Sequence, residues 1–231
     1  MNQLQLQEEG FTVLPDIFSH YEVDTLIDCI GKTVSSGPLF RKTNDLFAIR
    51  QFLKELPQTT DLIFSNAFKR IVREYAGEDH FVVKSIYFDK PEGSNWFVAW
   101  HQDLTIAVDK RRDCHGFGGW TSKPESFSVQ PPADILESMF TFRIHLDDTD
   151  MANGALRVIP GSHKKGIIRM EGMAGDERVC AVGKGGVMVM KPLLLHASSR
   201  VTNNRQRRVI HIEFCNRQLP DGLNWVEYMR V

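Results

Sequence analysis

The run FVAWHQDLTIAV, residues 97–108, decides how the rest of the chain is read. It is short, mostly apolar and supplied with aromatic and β-branched residues, so it predicts a buried β-strand. Within it stand His101 and Asp103, two positions apart. Side chains along a strand alternate between faces, so these two are expected to share one. A histidine and a carboxylate aimed into one buried space raise the question of what they hold there.

The sequence around that run continues the pattern. HFVVKSIYFDK (80–90), MFTFRIHLDD (139–148), ALRVIPGSH (155–163), GGVMVMKP (185–192), LLLHASSRV (193–201) and RRVIHIEFC (207–215) alternate or run apolar between turn residues, as strands do. Asn153-Gly154 is a strong tight-turn signal. Upstream, GFTVLPDIF is a short strand closed by Pro15. Ser19, with Glu22 three residues on, forms a capping box that opens a helix to about Thr33. DLIFSNAFKRIVREYAG (61–77) predicts a second amphipathic helix, ended by Gly77. Helices come first and about eight short strands follow, with no repeat or flexible linker. That order predicts one domain spanning residues 1–231, mainly β, a jelly roll with flanking helices. The stretch 109–133 is long, polar and rich in Gly and Pro, and is a candidate lid.

Composition narrows the function. The chain is 42% hydrophobic and 25% charged with net charge −1, which argues against nucleic acid or a membrane surface as its main partner. MNQLQLQEEG lacks the charged start and apolar core of a secretory signal, and no apolar run reaches the length of a bilayer span. Cys29, Cys114, Cys180 and Cys215 show no CxxC spacing, so they read as reduced thiols of a cytoplasmic protein and not as a zinc site.

The His-x-carboxylate pattern occurs three times, as His101/Asp103, His145/Asp147 and His211/Glu213. The chemistry it can serve is specific. Two histidines and one carboxylate on one face of an octahedron hold Fe(II) and leave positions open. A third ligand must then come from a later strand, with an arginine near it to hold an anionic cosubstrate. No histidine follows His211/Glu213, which reads as a strand pair hydrogen-bonded in or near the core. His145/Asp147 has His196 downstream, but Asp147 opens the run DDTD, where carboxylates cap a turn. His101/Asp103 also has His196 downstream, in PLLLHASSRV. Ser198 shares the face of His196, and RRVIHIEF then puts an arginine on an apolar strand. One of Arg207 and Arg208 is expected to face inward, where burial without an anion is costly.

WHQDLT (100–105), LDDTDMANGALRVIPGSHKKG (146–166) and LLLHASS…NRQRRVIHIEF (193–214), with the opening EEGFTVLPDIFSHYEVDTLI, resemble the phytanoyl-CoA dioxygenase family of Fe(II)/2-oxoglutarate oxygenases. The resemblance spans about residues 8–216. It implies a double-stranded β-helix, the cupin-like jelly roll. It implies His101, Asp103 and His196 as iron ligands, Arg207 as the cosubstrate arginine with Arg208 as the fallback, and Ser198 beside it. Trp120 and Lys84 are implied as further cosubstrate contacts. The implied reaction uses Fe(II), 2-oxoglutarate and O2, and releases succinate and CO2 as a C–H bond of a small molecule is hydroxylated. Halogenating relatives lack the carboxylate ligand, so the presence of Asp103 favours hydroxylation.

The motifs leave the substrate open. Arg143 lies two positions before His145 on the same expected face and is a candidate for a substrate carboxylate or phosphate. Two other functions remain: a metal- or ligand-binding jelly roll without turnover, and a hydroxylase of a protein partner.

Overall fold

The computed structural model describes residues 2–33, 37–44, 47–169 and 175–231. The chain opens with α1 (Asn2–Glu9), β1 (Phe11–Leu14) and α2 (His20–Gly31). The capping box forms as expected: the Glu22 carboxylate accepts from the Ser19 backbone N–H at 2.7 Å, and the Ser19 hydroxyl accepts from that of Glu22 at 3.3 Å. The sequence gives no signal for α1, because it is polar and buries Leu6 while Leu4 stays exposed.

Two short strands that the patterning misses follow, β2 (Phe40–Lys42) and β3 (Phe47–Arg50), then α3 (Phe52–Glu55). The helix expected over 61–77 is two helices, α4 (Thr60–Ile63) and α5 (Asn66–Tyr75). Phe64 leaves helical geometry at ψ 47°, and the Ser65 hydroxyl caps α5 by accepting from Phe68 N. Local capping has overridden a continuous apolar period.

The β region comprises β4 (Phe81–Lys90), β5 (Val98–His101), β6 (Ile106–Val108), β7 (Gly118–Lys123), β8 (Ser126–Gln130), β9 (Phe140–His145), β10 (Leu156–Val158), β11 (Arg178–Cys180), β12 (Val187–Met190), β13 (His196–Ser198) and β14 (Arg207–Cys215). A helix of five residues, α6 (Ala133–Glu137), precedes β9. The strands form a seven-stranded sheet in the order β1-β12-β9-β14-β4-β3-β2, a four-stranded sheet β11-β10-β13-β5 and a three-stranded sheet β6-β8-β7. This is the double-stranded β-helix: helices pack on the outer face of the large sheet, and the four-stranded sheet faces its inner side.

Alternation on β9 and β14 explains the layering. Phe142, Ile144, Ile210, Ile212 and Phe214 point to the helices and meet Val23, Leu26, Phe68 and Ile71 in the main core. Arg143, His145, Arg207 and His211 take the other face and are buried too. A sheet buried on both sides with charges on one of them needs something for those charges to bind.

Two expectations are corrected here. The run 97–108 is not one strand: β5 stops at His101 and β6 starts at Ile106. The Gln102 amide donates to Leu193 O at 2.6 Å and Gly166 O at 2.9 Å, its oxygen accepts from Ile168 N, and Asp103 N donates to Pro192 O. These bonds pull residues 102–103 out of the sheet. The candidate lid is largely a β-hairpin, β7–β8, paired to β6. Trp120 and Phe127 pack on a second apolar cluster built on Ile106, Val129 and Trp225. Among the described residues no helix is long and apolar enough to cross a membrane.

Candidate active site

β5 and β13 pair so that His101 and His196 stand directly opposite, with ring centroids 4.2 Å apart. His101 Nδ1 lies 2.8 Å from Ala99 O, and His196 Nδ1 lies 2.8 Å from Leu194 O. A carbonyl can only accept, so each Nδ1 carries the proton and each Nε2 keeps a free lone pair. Both lone pairs converge on Asp103. Its Oδ1 is 3.7 Å from His101 Nε2 and its Oδ2 3.8 Å from His196 Nε2, beyond hydrogen-bond reach but spaced to share an ion. The three ligand atoms lie within 4.8 Å of one another.

Electrostatics keep the set in its ligating form. Burial pushes His196 down to about 4 against the opposing pull of Asp103, so it is a neutral imidazole at neutral pH. Burial alone would raise Asp103, but His196, His211, Lys84 and His101 outweigh it and hold the carboxyl at about 2. Two imidazoles and one carboxylate fit the facial set that binds Fe(II).

The triad opens on a cavity of about 200 Å³. Phe88, Trp96, Val98 and Leu156 make its apolar walls, and Ser198 and Arg207 line it as well. Arg207 is 3% exposed, donates from Nη1 to Gly154 O at 2.7 Å, and leaves Nε without a partner. Ser198 Oγ donates to the same carbonyl at 3.1 Å. Gly154, at φ 81°, is the expected turn glycine, and a Cβ there would fall 2.7 Å from Ser199 O and 2.8 Å from Lys90 Nζ. Lys90 is fully buried, donates to Ser199 O and pairs in register with Arg207. Burial, with Arg207 nearby, lowers it to about 7. Around the barrel interior Lys84, Arg143 and Arg207 outnumber the two carboxylates, Asp103 and Glu213, so positive charge is in surplus even without Lys90.

The rival pairs resolve differently. His145 points inward: its Nδ1–H donates to the Thr149 hydroxyl at 2.9 Å, and its Nε2 is unpartnered. Asp147 points away and holds Arg208 through Nε at 2.9 Å and Nη2 at 2.6 Å. Arg208 therefore faces outward and Arg207 inward, as adjacent strand residues must. His211 and Glu213 stay together, next to Asp103, with both nitrogens of His211 and one oxygen of Glu213 engaged. Arg143 Nη1 donates to His211 Nδ1 at 3.0 Å, His211 Nε2 donates to Glu213 Oε1 at 2.9 Å, and Lys84 Nζ donates to that same oxygen at 2.7 Å.

That chain also locates the remaining expected residues. Arg143 lines the triad's cavity. Lys84 is tied to Glu213 and lines a different cavity. Trp120 is half-buried in the β6-β8-β7 cluster and lines neither. Sequence reasoning missed Lys90, Gly154 as an acceptor, and Gln102. Only the Asn-Gly turn carried a signal for any of them.

Comparison with known proteins supplies the class. The fold matches EctD from S. alaskensis with bound Fe (TM-score 0.71, 18% identity, covering 92% of this chain and 75% of that one). It matches EvdO2 from Micromonospora carbonacea var. aurantiaca complexed with 2-oxoglutarate (0.65, 17%, 95% and 92%). It also matches SnoK, a non-heme alpha ketoglutarate dependent carbocyclase from nogalamycin biosynthesis (0.68, 14%, 93% and 83%). No curated protein sequence matches the chain. The family model Phytanoyl-CoA dioxygenase (PhyH) matches residues 6–209, so the chain belongs to the phytanoyl-CoA dioxygenase family. Membership makes it an Fe(II)- and 2-oxoglutarate-dependent oxygenase that uses O2.

Proposed function

We propose that the chain acts as one oxygenase domain that hydroxylates a C–H bond of a small metabolite, in the balance R–H + 2-oxoglutarate + O2 → R–OH + succinate + CO2. The observation that carries this is the convergence of His101 Nε2, His196 Nε2 and the Asp103 carboxylate at the mouth of a cavity that ends on an underused buried arginine. His101, Asp103 and His196 are the residues to hold iron. Fe(II), when bound, supplies the redox step that divides dioxygen between succinate and product.

The rest is the work of side chains. Arg207 is the residue for the far carboxylate of 2-oxoglutarate, with its unpartnered Nε as the free donor, and Ser198 is a second donor if it releases Gly154 O. Lys90 adds positive potential behind them. Phe88, Trp96 and Leu156 exclude water, which strengthens each of these contacts. Arg143 sits in this cavity with Nε unpartnered, so it faces whatever anion lies next to Asp103, cosubstrate or substrate. Its bond to His211, which is braced by Glu213 and Lys84, fixes its direction. Four free cysteines suit the reducing cytoplasm.

Anaerobic titration with Fe(II) and then 2-oxoglutarate tests the proposal. A visible charge-transfer band that survives Asp147→Ala and is lost in Asp103→Ala is the expected result. Absence of the band in the wild type, or its loss in Asp147→Ala alone, overturns it. Succinate formation then separates an enzyme from a binding module.

A further inference from the structure

A second cavity, of about 190 Å³, lies on the far side of the Lys84–Glu213 ion pair from the triad. It occupies a gap in the large sheet. β3 ends at Arg50, where Gln51 turns in the left-handed region at φ 49° and ψ 46° and sends the chain into α3. The next partner along that edge of β4 is the bridge from Val82 to Met229. Between them the edge donor Ser85 N is satisfied by the Glu227 carboxylate at 2.6 Å, and Leu53 N by the Ser85 hydroxyl at 2.9 Å. A strained residue and a side chain standing in for a missing strand keep this gap open. The β6-β8-β7 sheet closes it from the other side with Thr105, Ala107, Ser126, Phe127 and Ser128.

Charge in this chamber is unbalanced. Arg50 and Lys123 line it, and neither has a side-chain hydrogen bond or ion pair among the described residues. Lys84 is already matched by Glu213, and Glu227, bound to the neutral donors of Ser85, sets one acidic group against these two cations. Three hydroxyls on the β6–β8 side offer neutral donors beside the two cations. The chamber is also next to the reaction centre: Lys84 forms its wall, Lys84 holds Glu213, and a Glu213 oxygen lies within 4.8 Å of an Asp103 oxygen.

We infer that this chamber binds the primary substrate, a small polar metabolite whose carboxylate or phosphate is held by Arg50 and Lys123. This rests on the oxygenase reading above and adds the substrate class to it. A volume below the roughly 300–1,000 Å³ of sites for drug-sized ligands excludes an enclosed acyl-CoA. With the anion anchored at Arg50 and Lys123, the rest of the molecule has to pass the Lys84–Glu213 pair to reach Asp103.

Calorimetric titration of inorganic phosphate and, separately, acetate into protein loaded anaerobically with Fe(II) and 2-oxoglutarate tests this, because loading occupies Arg207. The wild type is expected to bind at least one, and the Arg50→Met/Lys123→Met double variant to bind it about tenfold or more weakly. Arg208→Met should bind as the wild type does. The double variant should keep its thermal midpoint and the chelate band, since neither side chain has a partner to lose. Preference for phosphate points to a phosphate ester, and preference for acetate to a carboxylic acid. Equal affinity in wild type and double variant, or no binding of either probe, overturns the assignment. A wild type that binds phosphate through Arg50 and Lys123 but gives no chelate band overturns the oxygenase reading and leaves the anion chamber standing.

Discussion

The barrel wall carries a histidine and a carboxylate two residues apart in two adjacent places, and the two could hardly differ more. On β14, every nitrogen of His211 is engaged, and Glu213 accepts from both His211 and Lys84. Near β5, His101 and His196 each spend one nitrogen on a carbonyl two residues back and hold the other bare, 3.7–3.8 Å from Asp103. In the β14 pair both imidazole nitrogens and one carboxylate oxygen are committed to protein partners. In the triad one nitrogen of each histidine and the Asp103 carboxylate converge, with the ligand atoms within 4.8 Å of one another. Ligand capacity lies in what a polar group has left unpaired, and residue type does not report that.

Substitutions can break the contrast, starting with the largest effect. Asp103→Ala or His196→Ala should weaken Fe(II) binding by at least about 100-fold, measured by metal titration, while the metal-free protein still unfolds cooperatively. Glu213→Ala should do the reverse. It leaves Lys84 and the His211 N–H without their acceptor and should cost about 2–4 kcal/mol in denaturant unfolding, less than for a fully buried pair because Lys84 keeps 24% of its exposure. Iron binding should fall far less than in the triad variants.

The chamber wall gives a pH signature. Burial raises Glu227 from its ordinary 4.5 to about 7. The folded carboxyl then holds its proton where the unfolded one has lost it. Its contribution is full below pH 4.5 and disappears as pH rises through 7. Unfolding free energy attributable to this group should fall by about 3 kcal/mol between those limits, and Glu227→Gln should flatten that slope in urea titrations at pH 5 and pH 8. An unchanged slope would mean that Glu227 ionises normally.

The two neighbouring arginines sharpen the comparison at smaller scale. Arg207→Met should weaken 2-oxoglutarate binding about 10- to 100-fold in the anaerobic titration. Arg208→Met should leave it alone and cost under about 1 kcal/mol of stability, because its ion pair with Asp147 is partly solvated. Ser19→Ala, at the cap of α2, should cost about 1 kcal/mol and touch no binding step.

What the sequence by itself determined is what depends on neighbours along the chain. The Ser19 cap, the Gly154 turn and the opposite facing of Arg207 and Arg208, though not which of the two points inward, follow from local rules. So does the order of helices before strands. The ordered motifs WHQDLT, LLLHASS and RRVIHIEF carried the family and with it the expected iron ligands. Even there the reason was only half legible: alternation put Asp103 beside His101, but the strand ends at His101, and Gln102 is what turns Asp103 inward.

Tertiary structure decided everything that depends on distant partners. The resemblance implies Lys84 and Trp120 as cosubstrate contacts; what the fold sets beside Lys84 is Glu213, 129 residues away, and beside Trp120 a sheet that polar, Gly-rich sequence disguised as a loop. Lys90 gave no signal, because a lysine at the end of a strand usually reaches solvent, and only the closure of β14 and Gly154 over it makes it a buried cation. Charges are written in the sequence. Whether each is paired, solvated or left waiting for a ligand depends on which strands the fold brings alongside, and that is a property of the closed barrel.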